Sequence, residues 1–281
     1  MNVSVIIVLF QPSEDDLMYI KHLSQSCEGV VVDNSLKRNT EGDYLGSFYY
    51  IFNNGNKGIA EAQNIGIQYI LQANNSDYIV FLDQDTRVDG DYVSKIVNAY
   101  LAVNMVQPNL AILGPTAINS RSDVEYRSIF HDPELINGIF FPQREIISSG
   151  SCVGVDVIRK VGLNLSWLFI DYVDFEWCWR ANSMGYVCGI TPNVSIKHSV
   201  GQKEFYIVSY LIIISSPVRY FSQGRNYIKL LWFSYVPFQW KWRTMIKSLL
   251  RLIYLPFVPK GGIACWKQFV KGILSGLFVK V

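Results

Sequence analysis

Acidic residues are absent from the C-terminal quarter of this sequence. From Phe205 to Val281 there are 11 Lys and Arg residues and no Asp or Glu, whereas residues 1–204 carry 14 basic and 23 acidic residues, a balance of −9. The overall net charge of +2 conceals this asymmetry. We therefore expect an acidic body that carries the catalytic or binding site, joined to a basic tail suited to interaction with a partner.

Cysteine pairs, repeats and long apolar runs are also lacking. Five cysteines without a CxxC pair argue against a disulfide framework and against a structural zinc site. The longest uncharged apolar stretch, Phe205 to Val218, has 14 residues and is too short to span a bilayer comfortably. The opening MNVSVIIVLFQP has no basic n-region and is typical of a buried strand, not of a signal peptide. These observations predict a cytoplasmic protein.

Strand-like and helix-like segments alternate over the first 115 residues. Continuous apolar runs such as VSVIIVLF and GVVVD are typical of strands buried on both faces, and helical patterns separate them. The alternation predicts an α/β fold with a mostly parallel central sheet and helices on both faces. We expect a catalytic domain over residues 1–204 and a helical, basic and aromatic extension over 205–281. In such sheets, ligands bind outside the carboxyl ends of the strands, where Asp33, Asp83 and Asp85 fall.

The FLDQDT segment places Asp83 and Asp85 one residue apart at a strand end. A divalent cation such as Mg²⁺ or Mn²⁺ would relieve their repulsion, since it prefers hard oxygen ligands. The plainer alternative is a pair of turn acids that precede the next helix. His198 would join such a metal site only if it meets Asp85, because a lone strand histidine is more often part of the fold.

Two further segments combine polar residues with a helix. In NNGNKGIAEAQNIGI, Gly55 and Gly58 precede a helix whose N-terminus favours phosphate, although an ordinary turn would look the same.

The segment FIDYVDFEWCWRANSMGY places three carboxylates among aromatic rings. Asp171 and Asp174 fit a helix cap, and Glu176 with Arg180 fits an i, i+4 ion pair. A carboxylate in the first helical turn also suits a general base.

The ordered segments VVVDNS, NNGNKGIAEAQNIGI, FLDQDT, SSGSCVG, FIDYVDFEWCWRANSMGY and IKHSVG resemble glycosyltransferase family 2 in its rhamnosyltransferase branch. The resemblance runs from about Val3 to Lys229. It implies a GT-A fold and an inverting single displacement. It also implies a nucleotide-sugar donor, dTDP-L-rhamnose in this branch, and a polysaccharide or lipid-linked oligosaccharide acceptor of O-antigen or capsule type. The QxxRW signature of processive members is missing, which favours the addition of one or a few sugars.

The resemblance also implies roles for individual residues. Asp174 matches the catalytic base that deprotonates the acceptor hydroxyl. Asp85 and His198 match the ligands of a divalent metal, Mn²⁺ or Mg²⁺. The residues that match the family's donor-binding positions are Asp33, Asn56, Gly58, Asn64 and Asp83. Gly150 and Ser151 fall where an acceptor-side loop is expected, and Trp177 is a weaker candidate for the sugar pocket, since a helical Trp is more often core.

The tail carries a basic amphipathic pattern. In FQWKWRTMIKSLLRLIYL, Arg243, Lys247 and Arg251 share one helical face, and apolar residues occupy much of the other. This pattern predicts a peripheral contact with an anionic membrane surface, on the inner face of the cell membrane. A helical subdomain packed on the core, or a dimer contact, is the alternative. We expect no nucleic-acid partner, because the body is acidic and shows no nucleic-acid motif.

Two other functions compete with sugar transfer. A nucleotidyltransferase also uses an α/β sheet with carboxylate-bound metal, but it needs a basic, Gly-rich loop after the first strand, and LFQPSEDD is neither. A non-catalytic, membrane-associated assembly protein on a degenerate transferase fold is the second competitor. The intact Asp33, Asp83, Asp85, Asp174 and His198 argue against it.

Overall fold

The structure, a computed structural model, describes residues 1–119, 134–198, 204–207, 210–213, 215–259 and 261–278. The chain divides into two compact units. Unit 1 comprises Met1–Phe169 and Val173–Ser199, and unit 2 comprises Ile170–Tyr172 and Val200–Val281. The short segment Ile170–Tyr172 therefore belongs to the C-terminal unit, although it precedes Val173 directly in the chain. The domain boundary expected between residues 204 and 205 stays a prediction.

A nine-stranded sheet forms the centre of unit 1, in the order β3-β4-β2-β1-β5-β8-β6-β9-β7. Its strands are β1 Val3–Leu9, β2 Glu28–Asp33, β3 Tyr44–Leu45, β4 Phe48–Phe52, β5 Tyr78–Asp83, β6 Leu110–Asn119, β7 Phe141–Gln143, β8 Cys152–Gly154 and β9 Val187–His198. Six strands, β1, β2, β4, β5, β6 and β9, run in one direction, and β3, β7 and β8 run against them. The prediction of an α/β fold is confirmed. The sheet is mixed because β3 and β7 at its edges and β8 between β5 and β6 run antiparallel to their neighbours.

Helices cover both faces of this sheet, as the sequence predicts. They are α1 Glu14–Leu23, α2 Ile59–Ala73, α3 Tyr92–Val106, α4 Val155–Val161 and α5 Val173–Ser183, with a 3₁₀ turn at Ser166–Leu168. Val5 and Ile7 of β1 pack in a core with α1 and α3, whereas Ile6 packs on the other side with α2, α4 and α5. Burial on both faces explains why β1 is continuously apolar.

Ser13 caps the N-terminus of α1. The Ser13 hydroxyl accepts a hydrogen bond from the backbone N–H of Asp16, and the Asp16 carboxylate accepts one from the Ser13 N–H. This reciprocal capping box satisfies two N–H groups that otherwise have no partner in the first turn.

Unit 2 is largely helical beyond a hairpin of β10 Glu204–Ile207 and β11 Tyr210–Ile213. Its helices are α6 Pro217–Leu230, α7 Phe238–Tyr254 and α8 Gly262–Phe278, with a 3₁₀ turn at Leu255–Phe257. Helices α6 and α8 pack closely because glycines meet backbone: a Cβ at Gly272 would lie 2.1 Å from the Phe221 carbonyl oxygen, and one at Gly224 2.6 Å from that of Phe269. None of the described helices combines the length and apolarity needed to cross a bilayer.

Candidate active site

Two of the predicted aspartates, Asp33 and Asp83, are the last residues of β2 and β5, at the carboxyl edge of the sheet. Strand β1 lies between β2 and β5, and its Leu9 pairs with Asp33 while its Val8 pairs with Asp83. Two strand spacings separate these aspartates by about 10 Å. The sheet therefore brings Asp33 and Asp83 to one edge, where α/β folds bind their ligands.

Asp33 is fully buried and holds the loop that follows it. Its carboxylate accepts hydrogen bonds from the Ser35 N–H at 2.8 Å, from Asn39 Nδ2 at 2.7 Å and from the Tyr50 hydroxyl. Burial of the Tyr50 hydroxyl and its bond to Asp33 raise the pKa of Tyr50 well above its usual range. In the structure, Asp33 therefore stabilises this loop. A nucleotide could contact Asp33 directly only if the loop opened, so the donor-binding role of Asp33 stays a prediction.

The turn before α2 is held by buried amides that the sequence analysis missed. Asn53 Nδ2 donates to Asn34 Oδ1 at 2.7 Å, and Asn34 Nδ2 donates to the Gly58 carbonyl at 3.0 Å. Gly58 has φ +84, and a Cβ there would lie 2.5 Å from the Phe169 carbonyl oxygen. Asn56 is exposed, and its side-chain oxygen accepts a hydrogen bond from the Gly58 N–H at 2.9 Å, just before the start of α2. Asn34 directly follows Asp33 in VVVDNS, and that position after a strand end was the available signal.

Asp83 and Asp85 place two carboxylates at the end of β5. Asp83 is half-buried and Asp85 is exposed. Within the described ranges, no three His, Cys, Asp or Glu side chains converge as a ready metal site. Two carboxylates suit Mg²⁺ or Mn²⁺ all the same, because such ions are commonly held by one or two carboxylates together with substrate phosphates. The predicted partner, His198, ends β9, and its side chain lies outside the described parts of the structure.

Asp174 lies in the first turn of α5 with a raised pKa. Burial raises the pKa of its carboxyl to about 6, backbone N–H groups of Phe175 and Ser148 oppose the rise, and the charge of Asp83 adds to it. Asp174 lines a cavity of about 30 Å³ whose other walls include the apolar side chains of Ile67, Phe81 and Ile112. Apolar walls explain the desolvation. A carboxylate with a pKa near 6 is ionised at neutral pH and is a stronger base than an exposed aspartate.

The polar rim of this cavity is a second feature that sequence reasoning missed. Gln63 Oε1 accepts from Asn164 Nδ2 at 3.0 Å, and Gln63 Nε2 approaches the Ser148 hydroxyl at 3.4 Å. Asn64 is buried, and its amide bonds the backbone of Asn164 in both directions, at 2.9 Å each. Asn64 therefore ties α2 to the segment before α5, and its amide is not free for the donor contact that the resemblance implies.

Three acceptor-side candidates lie in the interior instead of at an open surface. Gly150 donates its N–H to the Phe81 carbonyl and accepts from the Tyr92 hydroxyl, and the fully buried Ser151 donates its hydroxyl to the Ser148 carbonyl. Trp177 is 7% exposed and donates its indole N–H to the Gly162 carbonyl. These contacts support the core alternative for Trp177 and give Gly150 and Ser151 a role in shaping the loop that bears Ser148.

The ion pair expected within α5 is confirmed, whereas the helix cap is not. Arg180 donates to both carboxylate oxygens of the fully buried Glu176. Helix α5 begins at Val173, and the Asp171 carboxylate binds the guanidinium of Arg219 within unit 2 instead of capping the helix. The cap was one alternative for Asp171, and the sequence pattern could not separate it from this ion pair, because Arg219 lies 48 residues away in the chain.

Comparisons with known proteins agree with this arrangement. The model of Glycosyl transferase family 2 matches residues 19–146. The chain is 32% identical, over an alignment of 292 residues, to the dTDP-rhamnosyl transferase RfbF of Shigella flexneri, which covers 98% of this chain and 95% of that protein. It is 26% identical over 191 residues to the low-salt glycan biosynthesis hexosyltransferase Agl10 of Haloferax volcanii, which covers 64% of this chain and 61% of that protein.

Solved structures resemble this chain at low sequence identity. A crystal structure of GalNAc-T7 with UDP, GalNAc and Mn²⁺ superposes with a TM-score of 0.58 and 15% identity, over 84% of this chain and 49% of that one. The structure of S. aureus TarS 1–349 in complex with UDP-GlcNAc gives a TM-score of 0.56 and 12% identity, over 97% of this chain and 82% of that one. At these identities the likeness concerns the fold alone.

Proposed function

Because this chain belongs to glycosyltransferase family 2 and has a GT-A-like fold, we propose that it moves L-rhamnose from dTDP-L-rhamnose to a saccharide or lipid-linked acceptor. That it is a glycosyltransferase enzyme follows from the family and from the named relatives. The choice of rhamnose is supported by the 32% identity to a dTDP-rhamnosyl transferase over nearly the whole of both chains.

Asp174 is the observation that supports the proposed chemistry most directly. In an inverting displacement, the acceptor hydroxyl gives its proton to the Asp174 carboxylate while its oxygen bonds to the anomeric carbon. The bond from that carbon to the diphosphate breaks, and dTDP leaves. A pKa of about 6 keeps this base ionised at neutral pH. General-base assistance contributes about 10²–10⁴-fold in rate.

The donor is proposed to bind along the edge formed by β2 and β5 and the turn before α2. Loop residues held by Asp33 would line the nucleotide, and the start of α2 with its exposed Asn56 offers N–H groups and partial positive charge to phosphate. Buried glycine at position 58 lets the backbone approach closely. Asp83 lies at the same edge and would face the ribose side of the nucleotide.

Asp85 and Asp83 would hold a divalent metal, with His198 as a further ligand. A bound Mg²⁺ or Mn²⁺ would neutralise the charge that develops on the leaving diphosphate. Asp85 is exposed and Asp83 is half-buried.

A membrane surface is the proposed partner of unit 2. Helix α7 buries its small polar residues Thr244 and Ser248 and exposes large apolar ones. The exposed apolar residues of α7 are Phe238, Trp242, Ile246, Leu249, Leu250 and Ile253. This is the reverse of the usual arrangement of a surface helix. Arg243 and Lys247 are exposed beside them, and the tail has no acid, so an anionic lipid surface at the inner face of the membrane fits both apolarity and charge.

A panel of nucleotide sugars tests the transferase proposal. Purified protein would be incubated with each sugar and a membrane lipid extract, with Mn²⁺ or with EDTA, and release of nucleoside diphosphate measured. We expect metal-dependent release of dTDP from dTDP-L-rhamnose, and a loss of at least about 100-fold in the Asp174→Asn variant. The acceptor would then be sought among the precursors of cell-surface polysaccharide of O-antigen or capsule type.

Other outcomes would change the proposal in defined ways. Release from a different donor would keep the mechanism and overturn the choice of rhamnose. Release of nucleoside diphosphate that persists in EDTA would overturn the proposed metal dependence. No release from any donor by folded protein would favour the non-catalytic, membrane-associated assembly protein, for which vesicle binding without turnover is the expected behaviour.

A further inference from the structure

The four residues that lead into α5 have an unusual backbone. Phe169, Asp171 and Tyr172 have φ values of +62, +65 and +67, in the region that side-chain-bearing residues rarely adopt. Phe169 combines this φ with a ψ of −64, the geometry of the rare and strained γ-turn. Strain of this kind persists only where surrounding contacts fix it, and it concentrates at functional sites. The segment ends two residues before Asp174.

At its first residue the strained segment is fixed by the turn before α2. The Phe169 carbonyl oxygen accepts a hydrogen bond from the Ala60 N–H at 3.4 Å and lies against Gly58. Both contacts are inside unit 1. The proposed donor turn and the approach to the proposed base are therefore in direct contact through one peptide group.

The remaining residues of the segment are fixed inside unit 2 by side chains of α6. Asn226 is fully buried, and its Nδ2 donates to the carbonyl oxygens of Ile170 at 2.9 Å and of Asp171 at 3.2 Å. Arg225 donates to Asn226 Oδ1 at 2.9 and 3.0 Å, which sets the orientation of that amide. The Arg219 guanidinium binds the Asp171 carboxylate, whose side chain is only 9% exposed.

A third contact holds the last residue of the segment. The ring of Tyr172 meets Trp240 edge to face, with ring centroids 5.0 Å apart. Each residue from 170 to 172 thus has a partner in unit 2, while Val173 and Asp174 belong to unit 1. The connection from these partners to Asp174 is the covalent chain itself.

We infer that Asn226 and Arg219 are positioning residues for Asp174. By holding residues 170–172 in their observed conformation, they fix the backbone that leads directly into the first turn of α5, which carries Asp174. The inference rests on the proposed function in taking Asp174 as the base. A misplacement of about 1 Å at a reacting group can cost about 100-fold in rate, so side chains that never touch substrate can control turnover.

The experiment compares Asn226→Ala and Arg219→Ala with Lys267→Ala, which removes an exposed charge from α8 and is the matched control. Release of dTDP from dTDP-L-rhamnose gives kcat and donor KM, and amide hydrogen exchange follows residues 169–180. We expect kcat to fall about 10- to 100-fold in the first two variants, with donor KM changed less than about threefold. We also expect faster exchange in the first turn of α5 and unchanged exchange in β1 and β5. Lys267→Ala should match wild type in every readout.

If Asn226→Ala fails to fold, exchanging the charges of Asp171 and Arg219 provides a second test. Asp171→Arg and Arg219→Asp alone should each lose turnover, and the two together should regain at least a third of it. Unchanged kcat and unchanged exchange in folded Asn226→Ala or Arg219→Ala would overturn the inference. The inference would also be overturned if kcat, donor affinity and protection from exchange all fell together throughout unit 1, because that result would indicate a general structural defect.

Failure here can be told apart from failure of the proposed function. If Asp174→Asn retains turnover, the base is wrong. If Asp174→Asn loses turnover while Asn226→Ala and Arg219→Ala keep it, only the positioning role fails. The exchange measurement needs no substrate and decides the structural half of the inference even if the donor is another nucleotide sugar.

Discussion

Arg180 holds Glu176 from the next turn of the same helix, with Nε 2.8 Å from one carboxylate oxygen and Nη2 3.1 Å from the other. The same guanidinium donates to the carbonyls of Val161 at 2.6 Å and Leu163 at 2.8 Å. The pair therefore joins α5 to the end of α4 and to the residues after it. It is a structural pair beneath the site, because Glu176 is fully buried.

Removal of one member of this pair should be strongly destabilising. Glu176→Gln leaves the Arg180 charge without its counter-ion in a buried place, and we expect the free energy of unfolding to fall by about 3–5 kcal/mol. Chemical denaturation measures it. Asp156→Asn is the control, since its pairing with Arg159 is exposed and should matter little. Equal effects of the two substitutions would contradict the buried role.

Turnover should depend on pH through Asp174. The base acts only when ionised, and its pKa is raised to about 6 by burial. We expect kcat to rise about tenfold per pH unit below about pH 6 and to level off above about pH 7. A profile that stays flat down to about pH 5 would contradict the assignment of Asp174, provided that the protein remains folded at that pH, as followed by circular dichroism.

The same carboxylate should lower stability above its pKa. The folded protein binds the proton more tightly than the unfolded chain, whose aspartate has a pKa near 3.8, so stability falls as the pH rises from about 4 to about 6. Asp174→Asn removes this partly buried charge, and we expect it to raise the free energy of unfolding at about pH 8 by up to about 3 kcal/mol. The gain should shrink at about pH 4.5, and an equal effect at both pH values would contradict this origin. Asp156→Asn serves as an exposed control.

Gly58 should be intolerant of a side chain. Its φ is +84, and an added Cβ would lie 2.5 Å from the Phe169 carbonyl oxygen, so backbone strain would combine with a steric clash. We expect Gly58→Ala to raise donor KM about tenfold and to cost about 1–3 kcal/mol of stability. Gly55→Ala is the matched control, because Gly55 also has positive φ, +129, but no atom within 4 Å of its Cβ position. Similar donor KM values for the two variants would show that the close contact with Phe169 has no effect on the donor.

Vesicle binding should depend on the exposed face of α7. In co-sedimentation with vesicles of phosphatidylcholine and phosphatidylglycerol, we expect Leu250→Ser to weaken partitioning about tenfold, since a leucine side chain contributes roughly 1.5–3 kcal/mol on burial. Arg243→Glu should weaken it at low salt, and vesicles without the anionic lipid should bind less. Met105→Ser, at an exposed apolar site in α3, is the control.

An alternative occupant of this face gives a different result. If α7 pairs with a second copy of the chain, the protein should sediment as a dimer without lipid, Leu250→Ser should yield monomers, and vesicle binding should be absent. That outcome would overturn the membrane proposal.

Features that depend on periodic patterns and on strand ends were predicted best from the sequence. The two-faced burial of β1 and the arrival of Asp33 and Asp83 at one sheet edge follow from apolar runs that end in polar residues. The antiparallel β8 was missed because Cys152–Gly154 is too short to show an alternating pattern.

Local networks were predicted less well, because their members are distant in the chain. Nothing near Asp33 indicates that Tyr50 and Asn39 close over it, and nothing near Asp171 indicates Arg219. The aromatic wall around the α5 acids proved to be largely core: Trp177 and Trp179 are buried, and their indole N–H groups bond inside unit 1. Composition alone does not distinguish aromatic residues that bind a sugar from aromatic residues that form a core beside a catalytic carboxylate.

The edges of the central sheet affect how this protein behaves at high concentration. One edge strand, Tyr44–Leu45, has two residues, and the other, Phe141–Gln143, has three and includes Pro142, which has no N–H to donate. Strands this short and interrupted offer little ladder of their own for another chain to extend. Strand addition by another chain onto these two short strands is thereby disfavoured.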